Sequence, residues 1–185
     1  MSGVLDISML PNLELVDCSE NSFTGLHTNN AAGYYGALHT LVLHGTWGNR
    51  HFAGGLDISG MPALKDLRAH QTGFQSLTTN SAPNYYPELF RVWLYLGAYT
   101  GTLDISSMPA LRELNAQGFD TFIQAASHPE MKSLSLSATG IAVTPDLSSM
   151  PALELLSLGN NDQMTQPPNL SANTALKTLR IRRHS

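Results

Sequence analysis

Residues 56–70 read LDISGMPALKDLRAH, and the spacing of Leu64, Leu67 and Ala69 within them decides the fold. The last two lie two residues apart, and alternate side chains of an extended strand point the same way, so Leu67 and Ala69 predict one short strand with an inward face. The residues between and beside them face outward. The phrase ahead of these anchors recurs as LDISMLPNL from Leu5, LDISSMPAL from Leu103, PDLSSMPAL from Pro145 and PNLSANTAL from Pro168. Each copy runs into apolar residues at the same offsets: Leu13, Val16, Cys18; Leu111, Leu114, Ala116; Leu153, Leu156, Leu158; and Leu176, Leu179, Ile181. Three further anchor sets fill the gaps, at Leu38, Leu41, Leu43; Leu89, Val92, Leu94; and Met131, Leu134, Leu136.

First anchors therefore stand at 13, 38, 64, 89, 111, 131, 153 and 176, with steps of 25, 26, 25, 22, 20, 22 and 23 residues. No single segment of that length can bury its apolar side alone. Stacking buries it, so the copies predict a coil of about eight rungs with a parallel sheet and a continuous core. At about 4.8 Å per rung the coil is roughly 35 to 40 Å long. A longer period overlies this one: NNAAGYYGAL before Leu38 matches NSAPNYYPEL before Leu89, 51 residues later, which points to duplication of a two-rung unit. Recurrence in register makes one tyrosine of each pair, Tyr34-Tyr35 and Tyr85-Tyr86, a core residue. Pro11, Pro62, Pro109 and Pro151 directly precede or adjoin the anchor segments and disfavour long helices there. The expected fold is thus a mostly β solenoid of the α/β repeat type, with residues 1–185 forming a single domain.

This pattern resembles the leucine-rich repeat family along nearly the whole chain. LDISGMPALKDLRAHQTGF and PNLSANTALKTLRI resemble repeats of bacterial and phage surface proteins, and Asn21-Ser22-Phe23-Thr24-Gly25 resembles the N-x-F-x-G stretch of plant-type repeats. The resemblance implies a right-handed, curved coil whose concave sheet and adjoining loops bind proteins or glycans. Two departures stand out. Thr46, Thr72, Gly97, Phe119 and Thr139 occupy positions where the family carries an inward Asn, and no capping module is recognisable at either end.

Composition narrows the partners. A formal net charge of −4 offers no basic face for nucleic acid or anionic membrane, and no run approaches the roughly 18 apolar residues of a membrane span. The first residues, MSGVLDIS, carry no signal-peptide pattern. Cys18, the only cysteine, stands at an inward offset and reads as a small core residue.

Strand positions at offsets 4 and 6 from each first anchor map the outward face. On rungs two to four they give Val42 and His44, Arg68 and His70, Trp93 and Tyr95, followed by Asn115 and Gln117, then Ser135 and Ser137, Ser157 and Gly159, and Arg180 and Arg182. Tyr, Trp and Arg are enriched at binding hot spots, so Val42, His44, Arg68, His70, Trp93 and Tyr95 form the candidate patch. Trp47 joins it from the loop Thr46–Phe52, whose composition resembles that of binding loops. Arg68 is placed to stack on Trp93 one rung away. His44 and His70 share a column, but Ser19 and Tyr95 beside them are poor ligands, so surface histidines rather than a metal site are expected. Phe52 is expected to close the core edge.

No catalytic motif is present: HExxH, GxSxG and GxxxxGK[ST] are all absent. Asp6, Asp57, Asp104 and Asp146 recur at one repeat position, which suits turn hydrogen bonding better than acid-base work. The expectation is a non-enzymatic scaffold, without cofactor or metal, for a protein or glycan ligand. The competing reading is a structural or attachment component of a larger assembly such as a virion or cell-surface array. With no cap in view, at least one end is expected to be covered by another chain, a copy of itself or a scaffold protein. Arg180, Arg182, Arg183 and His184 make the last rung basic, which would also blunt an exposed strand edge.

Overall fold

The structure, a computed structural model, describes residues 1–45 and 51–182. Its strands, in chain order, are β1 (Ser2–Asp6), β2 (Leu15–Asp17), β3 (Ser22–His27), β4 (Thr40–Val42), β5 (Ala53–Asp57), β6 (Asp66–Arg68) and β7 (Gly73–Thr78). They continue as β8 (Arg91–Leu94), β9 (Thr102–Asp104), β10 (Glu113–Ala116), β11 (Thr121–Ile123), β12 (Ser133–Ser135), β13 (Leu155–Ser157) and β14 (Thr178–Arg180). Eight of them, in the order β14-β13-β12-β10-β8-β6-β4-β2, form one all-parallel sheet. Each is centred on the middle anchor of one rung, and Val16, Leu41, Leu67, Val92, Leu114, Leu134, Leu156 and Leu179 lie side by side in register. The only helix among the described residues is a single 3₁₀ turn at Leu147–Ser149. The chain is a parallel β-solenoid of about eight turns.

On the far side of the core the outer strands pair in twos, β1 with β3, β5 with β7 and β9 with β11, all parallel. The first two pairs share the same register shift, between Gly3 and Val4 and between Gly54 and Gly55. Gly3 and Gly54 both have positive φ, which glycine alone adopts without strain. The two-rung period of the sequence is therefore a real pairing of outer strands.

The core is a continuous column of anchors, with Leu38, Leu64, Leu89, Leu111, Met131 and Leu153 fully buried. Cys18 belongs to it as a small core residue, and burial pushes its thiol up to about 11. Phe52 closes the core edge as expected, stacked on Phe74 with ring centroids 4.9 Å apart.

Polar groups inside the coil follow the repeat as well. The Tyr35 hydroxyl donates to the Ile7 carbonyl at 3.0 Å and accepts from the Asn29 N–H at 2.9 Å. One long period of 51 residues later, Tyr86 donates to Ile58 at 3.1 Å and accepts from Asn80 at 3.0 Å. Tyr35 and Tyr86 are fully buried, while Tyr34 and Tyr85 are partly exposed and meet them edge-on. The recurrent aspartates do turn work: Asp6, Asp57, Asp104 and Asp146 each accept the backbone N–H two residues on.

At the positions where the resemblance implies an inward Asn, several side chains hydrogen-bond to carbonyls of the coil. Asn161 Nδ2 donates to the carbonyls of its own rung, Leu158, and of the rung before, Leu136. Thr72 and Thr139 donate to the own-rung carbonyls Ala69 and Leu136. At Gly97 the missing side chain leaves room for the Tyr99 ring, which a Cβ there would meet at 2.6 Å, and the Tyr99 hydroxyl donates to Ala69 of the preceding rung at 2.8 Å. Tyr99 in turn stacks on Phe119 with ring centroids 5.1 Å apart.

Candidate functional site

Side chains at offsets 2, 4 and 6 stand on the outward face of the eight-stranded sheet, where register decides which of them meet. Val42, Arg68 and Trp93 are consecutive partners across β4, β6 and β8. The expected cation–π contact is present: the Arg68 guanidinium carbon lies 5.5 Å from the Trp93 ring centroid. A second cation, Arg91, lies 4.9 Å from the same ring. Both arginines converge on Asp66, a buried carboxylate, with Nη2 of Arg68 at 2.7 Å and Nη1 of Arg91 at 3.0 Å. Arg91 also holds Glu113 at 2.8 Å, and these acidic partners raise its pKa further, the Glu113 hydrogen bond most. Asp66 thus clamps two cations that in turn fix the indole, a rigid arrangement because each planar guanidinium is held at several points.

The offset-6 column forms a stack. His70 lies parallel to Tyr95 at 4.6 Å and near-parallel to His44 at 4.8 Å, with Trp93 edge-on at 5.9 Å. His70 departs from the expectation of surface histidines, being buried between its neighbours with no hydrogen-bond partner for Nδ1, whereas His44 stays partly exposed. Burial, reinforced by His44 and Arg68, pushes its pKa down to about 4, so at neutral pH it is an uncharged stacking ring. Val42 is also buried, although its position is outward. Trp47 lies outside the described residues. Among the described residues no three His, Cys, Asp or Glu side chains gather where they could hold a metal ion.

Beyond Trp93 and Tyr95 the side chains become short. Asn115, Ser135 and Ser157 follow Trp93 along the offset-4 column, and the long Arg180 closes the row on β14. The result is a trough of about 260 Å³, walled by Trp93 and Tyr95 on one side and Arg180 on the other, with Glu113 and Ser133 along its margin. Its floor is polar. Asn115 Oδ1 has no hydrogen-bond partner, whereas the Ser157 hydroxyl meets that of Ser137 at 2.8 Å. The sequence map contains these residues, and the candidate patch supplies Trp93 and Tyr95 of the wall, but it leaves out Asn115, Ser135 and Ser157 because small polar side chains carry no hot-spot signature. Height differences between neighbouring rungs were the available signal: a large aromatic pair followed by three short rungs leaves a depression.

Compared with known proteins, the chain matches no family model, and neither curated proteins nor solved structures yield a match. None of the helices among the described residues is long and apolar enough to cross a membrane.

Proposed function

We propose that this protein is a divergent leucine-rich repeat coil acting as a non-enzymatic recognition scaffold, with a protein or glycan ligand seated on the outward face of its eight-stranded sheet. The repeat lengths of 20 to 26 residues, the LxxLxL anchors and the Asn161 contacts between rungs support the family reading. One observation carries the binding reading: the fixed Trp93–Tyr95 wall stands directly beside a polar trough whose floor offers hydroxyl and amide groups. The aromatic wall supplies contact area at little entropic cost, since the Arg68–Asp66–Arg91 clamp already holds the indole. The hydroxyls of Ser133 and Ser135 supply directional contacts, and Arg180 adds one cation.

Two variants test the reading on glycan and peptide arrays. Trp93→Ala removes the wall, and Ser135→Trp fills the trough without touching the core. Ligands bound by the wild type and lost by both variants, with unchanged circular dichroism, are the expected result. Binding profiles identical across all three proteins would eliminate this face as the recognition surface.

A further inference from the structure

We propose that the two edges of the eight-stranded sheet fit each other, so that a second copy of this chain docks head to tail, its β2 adding to β14 as the next rung. The argument rests on what each edge displays. At β2, Leu10 and Leu15 are about half exposed, and at β14 so are Leu179 and Ile181. Continuing the observed register by one rung places Val16 of the second copy beside Leu179, Leu13 beside Leu176 and Cys18 beside Ile181. Those are the pairings that fill every internal junction. Val16 and Cys18 are already buried at β2, so the apolar surface newly covered is that of Leu13, Leu176, Leu179 and Ile181, and burying it favours association.

Backbone groups continue in the same way. Within the coil, the N–H at offset 5 donates to the offset-4 carbonyl of the next rung, as Cys18 does to Val42 and Leu158 to Arg180. The N–H at offset 1 donates back to the preceding rung, as Lys177 does to Glu154. At the new junction Ile181 would donate to Asp17, and Glu14 to Lys177, satisfying groups that an open parallel edge leaves unpaired.

Charge selects the second copy as the occupant. The same register sets Glu14 against Lys177 and Asp17 against Arg180, two opposite-charge pairs three residues apart along the strands. Lys177 already bridges Glu154 at 2.7 Å and would lie between two carboxylates. The chain uses that motif internally, where Arg91 lies between Asp66 and Glu113. Because the two edges are different surfaces related by one rung step, the contact does not close on itself and extends as a linear stack.

Sedimentation of the 185-residue chain from low to high micromolar concentration tests this, with Glu14→Lys and Lys177→Glu as charge variants. The wild type is expected to gain mass continuously with concentration, without a plateau at the dimer. Each charge variant alone should associate about five- to tenfold more weakly, since one attractive exposed pair becomes repulsive. Mixing the two variants recreates opposite charges at every junction and should restore association, which a folding defect could not do. Leu179→Asp, folded by circular dichroism, should remain monomeric. A wild type that stays monomeric at high micromolar concentration, a mass that stops at the dimer, or mixed variants that fail to recover would each overturn the proposal. The readout is independent of any ligand in the trough.

Discussion

Replacing His128 by Met should stabilise this protein, and the structure supplies both the reason and the size. His128 stands three residues before its first anchor, the position held by Tyr35, Met61, Tyr86, Met108 and Met150 in other rungs, and all of these are fully buried. The tyrosines satisfy their hydroxyls there, but the ring nitrogens of His128 are buried without a hydrogen bond of good geometry, the Met108 backbone approaching the ring too poorly aligned to close one. A buried polar group without a partner costs about 1–3 kcal/mol, and a swap of similar volume costs less than about 1.5 kcal/mol. The net gain is therefore about 1 kcal/mol at neutral pH, or about 2–4 °C in Tm for a chain of this size. Acid enlarges it. Burial lowers the His128 pKa below its ordinary 6.5, the Met108 backbone offsetting this only in part. As pH falls through 6.5 the unfolded chain takes up a proton that the folded chain resists, so wild-type stability declines while this contribution is missing from His128→Met. His70, pushed down to about 4, leaves the variant a residual slope of the same sign. Thermal melts of both proteins between about pH 7.5 and pH 5.5 decide the matter. A variant melting at or below the wild type at neutral pH, or a gap that does not widen with acid, refutes the reasoning.

Tyr35→Phe and Tyr86→Phe should each cost about 1–3 kcal/mol, because each strands a buried carbonyl and N–H, and the double variant should be near additive by denaturant unfolding. Asn161→Ala removes donors to two carbonyls and the acceptor for Thr139, and should lower stability by at least about 2 kcal/mol, with faster amide exchange spreading from rungs six and seven. Gly118→Ala should impair folding more than other surface glycine changes, since φ is +89° there and the new Cβ would lie 2.3 Å from the Tyr99 carbonyl oxygen. Soluble yield and Tm equal to those of the wild type would remove that argument.

Much of this architecture was readable from the chain because it depends on periods within it. The LxL spacing alone dictates strands facing a common core, and the 20- to 26-residue step dictates how many rungs stack, so all eight sheet strands fall on their predicted anchors. The Asp-x-Ser turns and the buried member of each tyrosine pair follow from recurrence at fixed positions. What only the tertiary structure decided concerns neighbours on different rungs. That Tyr99 reaches into the space beside Gly97 and bonds the Ala69 carbonyl of the preceding rung depends on a ring crossing between turns. His70 is buried although its position points outward, because His44 and Tyr95 close on both its faces. The trough begins at Trp93 and Tyr95 of the anticipated patch and runs on beyond it, since a depression is set by the relative heights of side chains on rungs four to eight. Side-chain direction is a local property that alternation along the strand determines, whereas burial and cavity shape are properties of the stack, settled only when the rungs come into register.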